Sequence, residues 1–235
     1  MYRLVITPNQ QENGKIQLTQ AQQHYLQRVL RLKTGDQFIT LDGTGQTWLT
    51  ELVAAGAILI KPLAETNELP SDITLMVAIP KGNGFEDITR CCTELGVHTI
   101  IPIISQRTLL NPSPHKLERW RKIASESAEQ SERQLIPTIL DPRNLAEALG
   151  GVDDFSANCY ICVTRREAKS LLWYLQRQPP NRTVIMTGPE GGWTDEEIDL
   201  AMACHFQPVS LGSRILRAVT APMMALSLVA ATLEL

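Results

Sequence analysis

Apolar residues fall along this chain of 235 residues in two rhythms. In the first seventy they come in short alternating runs. Arg3 to Ile6 alternates like a strand, and Thr19 to Leu30 has helical spacing that puts Leu26, Val29 and Leu30 on one face. Lys33-Thr34-Gly35-Asp36 reads as a turn, Gln37 to Leu41 as a strand, and Asp42-Gly43-Thr44-Gly45 as a hairpin turn. Thr47 to Val53 and Ala57 to Ile60 supply further strands. Several short strands with one helix predict a small β-barrel over residues 1–70. A linker rich in Glu, Asn and Pro is predicted from Pro62 to Pro70.

From residue 71 to 235 the apolar runs become nearly continuous and alternate with helical stretches. Ile73 to Ile79 and Thr99 to Ile104 have the composition of strands buried on both faces. Between them lie the loop Lys81-Gly82-Asn83-Gly84 and a helix, Phe85 to Leu95, stopped by Gly96. This β-α-β order predicts an α/β domain. Ser113-Pro114 is a cap and first position for a long helix with Leu117, Trp120, Ala124, Ser127 and Ala128 as its buried stripe. Ile136 to Ile139 and Ala157 to Val163 read as strands, and Ala168 to Arg177 as a helix. The last element, Thr220 to Leu235, carries Met223, Met224, Leu226, Leu228, Val229 and Leu233 and is apolar on nearly every face. Such a helix is either core or part of a dimer interface.

Two glycine loops dominate the carboxyl-terminal third. Gly188-Pro189-Glu190-Gly191-Gly192 follows the strand-like Thr183-Val184-Ile185-Met186. Leu211-Gly212-Ser213-Arg214-Ile215-Leu216-Arg217 follows Phe206 to Leu211. The helix between them opens on the capping box Thr194-Asp195-Glu196-Glu197. In such units ligands sit where loops leave the carboxyl ends of parallel strands. Thr164-Arg165 leaves another strand end and is placed to form a third wall. The first loop is neither G-x-G-x-x-G nor a Walker A. Glu190 at its centre would repel a phosphate and suits ribose hydroxyls, an ammonium or a sulfonium. A tight turn with Glu190 in solvent, and Arg214 and Arg217 as surface residues, remain the plain alternatives.

Composition narrows the choice little. Net charge is −3, unlike a free nucleic-acid binder, so contact with RNA would need a local basic patch. Arg28, Arg31 and Lys33 form one such cluster, and a solvated face is its alternative. Five cysteines, an odd number, argue against a disulfide framework. Cys159-Tyr160-Ile161-Cys162 lies in a strand-like run whose side chains diverge, and neither Cys nor His residues show metal-ligand spacing, so no metal is expected. No apolar run spans a bilayer and no signal peptide is visible at Met1-Tyr2-Arg3, so a cytoplasmic protein without membrane contact is expected.

The two loops, G-P-E-G-G and L-G-x-R-I-L-R, resemble those of the SPOUT-superfamily 16S ribosomal RNA (uracil-N3)-methyltransferases. Pro80-Lys81-Gly82, Glu94-Leu95-Gly96-Val97 and the E-Q-x-x-R pattern at Glu129, Gln130 and Arg133 are similar to further motifs of that family. The run His24 to Gly43 resembles its PUA-like RNA-binding domain. The resemblance implies a knotted methyltransferase domain over 71–235 and a PUA-like barrel over 1–70. It also implies a homodimer that uses S-adenosyl-L-methionine to methylate N3 of a uridine in 16S rRNA of the small ribosomal subunit. It places cofactor contacts at Gly188, Pro189, Glu190, Gly191, Gly192, Leu211, Gly212, Ile215 and Leu216, to which the neighbouring strand end adds Val163 and Thr164. Catalytic roles fall to Arg217, Arg133 and Glu190, and RNA contacts to Arg28, Arg31, Lys33, Lys81 and Arg107. A non-catalytic RNA-binding protein that kept the fold is the alternative.

The chain departs from that pattern twice. Glu132 stands where glycine is frequent. Leu216-Arg217-Ala218-Val219-Thr220 replaces the family's usual L-R-T-E-T, so Val219 occupies a glutamate position. Uracil N3 carries a proton that must leave before methylation, and arginine is a poor base. The resulting anion calls for a cation, for which Arg217, Arg214 and Arg133 are candidates. Either Glu190 or Glu129 takes the missing carboxylate's part, or that carboxylate is dispensable, or the enzyme is slow.

Overall fold

The structure, a computed structural model, describes residues 1–64, 66–109, 111–151, 157–177 and 182–234. The chain forms two compact units. Unit 1 comprises Met1–Glu68 and Ala128–Ile136, and unit 2 comprises Leu69–Ser127 and Pro137–Leu235.

Unit 1 contains β1 (Arg3–Val5), β2 (Gln11–Glu12), β3 (Lys15–Ile16), α1 (Gln20–His24), β4 (Gln37–Leu41), β5 (Thr47–Val53) and β6 (Gly56–Leu63). Its six-stranded sheet has the order β1-β4-β5-β6-β3-β2, with only the β1–β4 pair parallel. Leu4, Ile6, Ile16, Leu18, Leu26, Phe38, Leu52 and Ala57 form one core. The Asp42 turn forms as expected: its carboxylate accepts the amides of Thr44 and Gln46 at 2.8 and 3.1 Å. Gly56 has φ +122, and a Cβ there would stand 2.5 Å from the Ile16 carbonyl, so only glycine fits.

Three expectations in unit 1 are corrected. The helix after α1 continues as a π-helical turn, Tyr25–Val29. Its wider winding rotates Val29 outward to 59% exposure while Leu26 stays fully buried, so they do not share a face. Strand β6 runs through Pro62 to Leu63, where a linker was expected. Beyond Leu59 it pairs only with β5, so the missing proline N–H costs little. The strand expected over Ile136 to Ile139 is shorter, Thr138–Ile139, and does not include Ile136. The Ile136 amide donates to Gly43 O at 3.0 Å, inside unit 1.

The segment 128–136 is tied down by Glu68. One carboxylate oxygen takes Arg133 Nε and Nη2 at 3.0 and 2.6 Å, and the other takes the amides of Gln134 and Leu135 at 2.8 and 2.9 Å. Arg133 and Glu68 expose only 4% and 12% of their side chains. Glu132 has φ +64, which explains why glycine suits that position. Here its carboxylate pairs with Arg3 at 2.6 Å.

Unit 2 contains β7 (Ile73–Ala78), α2 (Gly84–Glu94), β8 (Thr99–Ile104), α3 (Pro114–Gln130, its last turn lying in unit 1), β9 (Thr138–Ile139), β10 (Arg143–Asn144), α4 (Leu145–Gly150) and β11 (Asn158–Cys162). It continues with α5 (Leu171–Leu175), β12 (Thr183–Thr187), α6 (Asp195–Ala203), β13 (Gln207–Val209) and α7 (Thr220–Leu233). The strands pair in parallel in the order β10-β8-β7-β12-β11-β13, with β9 beside β8. Phe85 and Trp120 stack with centroids 4.1 Å apart, and the predicted stripe of α3 is buried throughout. Helix α5 is shorter than expected because Lys169 and Ser170 are held by Ser210: the Ser210 amide donates to Lys169 O, and the Leu171 amide to Ser210 O.

Helix α7 is not buried all round. Pro222, Ala225, Leu226, Val229 and Ala230 are buried, whereas Met224 is 37% exposed and Met223, Leu228 and Leu233 are half-buried. No helix among the described residues is long and apolar enough to cross a membrane.

Removing the Glu68 carboxylate takes away the acceptor of four hydrogen bonds from Arg133, Gln134 and Leu135. Glu68→Ala should lower unfolding free energy by about 3 kcal/mol, measured by urea denaturation. A loss below about 0.5 kcal/mol would show that the network contributes little.

Candidate active site

The strand order determines where the site lies. Strand β12 lies between β7 and β11, so the chain must cross over β11 through α6 to place β13 on its far side. The carboxyl ends of β12, β11 and β13 are therefore neighbours at one sheet edge. Each releases a loop there, and the three loops enclose a pocket of about 440 Å³. That volume suits a small-molecule cofactor.

The β12 loop spans Gly188 to Trp193. Its Gly192 amide donates to Pro189 O at 2.8 Å, closing a turn with Gly192 at φ +70. Glu190 Oε1 accepts the Lys81 amide at 3.0 Å and so anchors the loop to the segment after β7. A Cβ on Gly188 would meet the Trp193 indole at 3.2 Å, and one on Gly191 would meet Arg107 Cδ at 3.0 Å. Both glycines are therefore places where backbone lies against a side chain from below. The indole N–H of Trp193 is buried without an acceptor among the described residues.

The wall from β11 is Cys162 to Arg166. Burial pushes the Cys162 thiol up to about 12, so it stays neutral and is no nucleophile near neutral pH. Arg165 has φ +59, and Arg166 pairs with Asp195 at 2.6 Å. The wall from β13 is Ser210 to Leu216, with Ala218 and Ala221 behind it. Ser210 Oγ bonds both the amide and the carbonyl of Gly212, which has φ +116.

The structure brings together all of Val163, Thr164, Gly188, Pro189, Glu190, Gly191, Gly192, Leu211, Gly212, Ile215 and Leu216 around this one pocket. The cradle fits S-adenosylmethionine. It offers apolar walls at Val163, Leu211, Ile198 and Leu216, backbone amides in glycine loops, and a carboxylate at Glu190 beside which a cation is favourable.

A profile of the RNA methyltransferase domain matches residues 67–230. The chain belongs to the RNA methyltransferase family. A profile of the RNA methyltransferase PUA domain matches residues 18–62, within unit 1. The chain is 51% identical over 237 residues to the ribosomal RNA small subunit methyltransferase E of Synechocystis sp., covering 99% of this chain and 78% of that one. It is 30% identical over 249 residues to the enzyme of the same name from Bacillus subtilis, covering 100% and 97%. Among solved structures, the Neisseria gonorrhoeae ribosomal RNA small subunit methyltransferase E bound to S-adenosyl methionine superposes with a TM-score of 0.86. It is 30% identical, with 97% and 95% of the two chains covered. A Legionella pneumophila methyltransferase in complex with the same cofactor gives 0.80 at 28% identity, covering 97% and 96%.

Other expected site residues of this RNA methyltransferase lie elsewhere. Arg217 is exposed just after the β13 loop, and its carbonyl accepts the amides of Thr220 and Ala221 at the start of α7. Arg133 does not line the pocket: it is the buried partner of Glu68 in unit 1, which commits its charge to holding that segment. Glu129 Oε2 likewise accepts the Val5 amide within unit 1. Lys81 is exposed and reaches the site through its backbone. Arg107 lines the pocket, with its guanidinium on Gly191 O and, at 3.4 Å, on Trp193 O, so it is not a purely solvent-facing cation for RNA. Arg28, Arg31 and Lys33 are exposed together at the end of the unit 1 helix, where Arg31 has φ +59 and the Leu32 amide closes onto Leu26 O.

Sequence reading missed Trp193, Ile198 and Arg166 as pocket residues. Trp193 directly follows the glycine loop, which was a usable signal. Arg166 gave none, because its partner Asp195 is distant in sequence.

Gly191→Val should displace the Arg107 stem and fill the pocket. Titration calorimetry should then detect no S-adenosylmethionine binding while circular dichroism stays native. Unchanged affinity in the folded variant would remove this pocket as the cofactor site.

Proposed function

We propose that this chain is an S-adenosylmethionine-dependent methyltransferase that modifies N3 of a uridine in 16S rRNA of the small ribosomal subunit. One observation carries the reading: eleven residues from three separate loops, nine of them in the two loops that resemble family motifs, converge on a single pocket. Bound there, the cofactor supplies a methyl group activated by a sulfonium.

The protein's own residues do the rest. The glycine loops bring backbone amides to the ligand, and the β11 and β13 walls shield it from water. Uracil N3 loses its proton as it attacks, and the ring oxygens take up negative charge. Arg217 stands two residues before the N-cap of α7, where its guanidinium is the cation for that charge. Glu190 holds one oxygen on the Lys81 amide and keeps the other to accept a proton. Arg133 is left out of this scheme because its guanidinium is spent on Glu68.

Unit 1 supplies RNA affinity through Arg28, Arg31 and Lys33, with Lys81 as a further contact from unit 2. The half-buried and exposed residues of α7, Met223, Met224 and Leu228, support a homodimer formed through that helix, as does the 66% exposure of Ile215. A cytoplasmic location agrees with this substrate. Action within rRNA processing and ribosome biogenesis, and a knotted path around the pocket, complete the reading. Methylation of assembled small subunits, with N3-methyluridine detected by mass spectrometry, tests it, and a folded protein that binds cofactor but never methylates would refute it.

Three outcomes follow. Arg217→Ala should lower the single-turnover rate about a hundredfold with cofactor affinity unchanged; a wild-type rate would exclude Arg217 from the mechanism. Replacing Arg28, Arg31 and Lys33 together by Ala should reduce the slope of log affinity against log salt by about two to three, with the cofactor still bound. Val219 Cγ2 lies 2.7 Å from where a Cβ on Gly84 would stand, so the valine is packed against the start of α2. Val219→Glu should therefore lower stability by about 1 kcal/mol and not raise the rate; a faster enzyme would show that the family's glutamate is merely missing here.

A further inference from the structure

We propose that Arg107 is a positioning residue, which holds the Gly188–Trp193 loop in its cofactor-receiving shape. The proposal rests on the reading of the pocket as the cofactor site. Within itself the loop has one backbone hydrogen bond among the described residues, Gly192 N–H to Pro189 O. Three of its five first residues are glycine, so the free loop has many conformations to lose, about 1–2 kcal/mol per residue ordered. Something outside must restrict it. Glu190 does so at one point through the Lys81 amide.

Arg107 does so over a wider span. Its Nη1 donates to Gly191 O and Trp193 O, two residues apart, and its Cβ, Cγ and Cδ line up along Gly191. A side chain that takes the loop's carbonyls leaves its amides to the ligand. The amides of Glu190 and Gly191 have no partner among the described residues.

The arm is itself fixed. Ser105 and Thr108 close a turn around Arg107: the Thr108 amide donates to Ser105 O at 3.1 Å, and the Ser105 amide donates to Thr108 Oγ1 at 3.1 Å. The neighbouring Gln106 amide donates to Glu197 Oε1 at 2.8 Å. The other oxygen of that carboxylate takes the Thr194 amide at 2.8 Å, in the capping box of α6. Glu197 is buried, so the turn after β8 is anchored to the helix that begins just after the loop. Arg107 thereby spans from one fixed point to a loop with few bonds of its own. The residue is exposed, so a contact to RNA phosphate is the competing role.

Arg107→Ala and Arg107→Lys separate the two roles. With no RNA present, Arg107→Ala should weaken S-adenosylmethionine binding about tenfold by calorimetry, and Arg107→Lys should recover part of it. In the cofactor-free protein, hydrogen exchange at the Gly192 amide should be faster in Arg107→Ala than in the wild type. RNA affinity without cofactor should keep its salt slope. Unchanged cofactor affinity and Gly192 exchange, with the salt slope reduced by about one, would overturn the proposal in favour of the RNA contact. Wild-type protein that fails to bind S-adenosylmethionine would sink the cofactor reading instead, and Gly192 exchange would still report whether Arg107 braces the loop.

Discussion

Parallel strands need crossover connections, and the order of three strands in unit 2 depends on one of them. Strand β11 sits between β12 and β13, so α6 must carry the chain across it. That crossing puts three carboxyl ends side by side, and the three pocket loops hang from those ends. The sheet supplies rigidity: Ile161 and Met186 on it are fully buried. The loops supply exposed backbone, which glycine makes approachable. Trp193 joins the two layers. Its indole lies in the core cluster with Met186 and Ile198 and also forms the surface against which Gly188 rests. The buried indole N–H without an acceptor is the energetic cost of that wedge.

Unit 1 depends on a different interaction, the carboxylate of Glu68. A segment of nine residues, Ala128–Ile136, belongs to this unit although the chain reaches it from unit 2. Such a short piece has little apolar surface with which to hold itself. Glu68 compensates by satisfying one guanidinium and two successive amides, while Gln134 Oε1 takes the Asn67 amide in return at 3.0 Å. A buried ion pair alone is a weak source of stability, because desolvation offsets attraction. Four hydrogen bonds on one carboxylate change that balance. Glu132 belongs to the same economy of local shape, since its left-handed backbone is disfavoured for a non-glycine residue and Arg3 provides the compensating partner.

What could be read from sequence was what is local. The capping box at Thr194, the αL glycine after α2, the Asp42 turn and the strands at 47–53 and 99–104 each depend on a few neighbouring residues, and the structure has them. The glycine loops were legible as ligand-facing because they follow apolar runs. Roles set by distant partners were not legible. The family pattern at Glu129, Gln130 and Arg133 gave no sign of the Glu68 carboxylate 65 positions away, and nothing near Arg107 pointed to the carbonyls it caps more than 80 residues downstream. Helix α7 gave a mixed outcome. Its composition is apolar throughout, but the periodicity cannot say which face is buried and which is exposed.

The absence of a glutamate at 219 then has a structural account. Gly84 opens α2 and Val219 precedes α7. A Cβ on Gly84 would meet Val219 Cγ2 at 2.7 Å and Pro80 Cγ at 3.2 Å, so a methyl group fills the space that glycine leaves. An apolar contact at this junction is a packed feature and not a gap awaiting a carboxylate. The next residue after Pro80 is Lys81, whose amide holds Glu190. One short segment at the end of β7 therefore packs against the glycine facing Val219 and anchors the acid of the glycine loop. Glu190 thus sits on the β12 loop, beside the pocket, and Arg217 on the segment that leads into α7. In the proposed reaction a proton leaves on one side while anionic charge gathers on the other, and an acid and a cation carried by different elements do not neutralise each other through a direct pair.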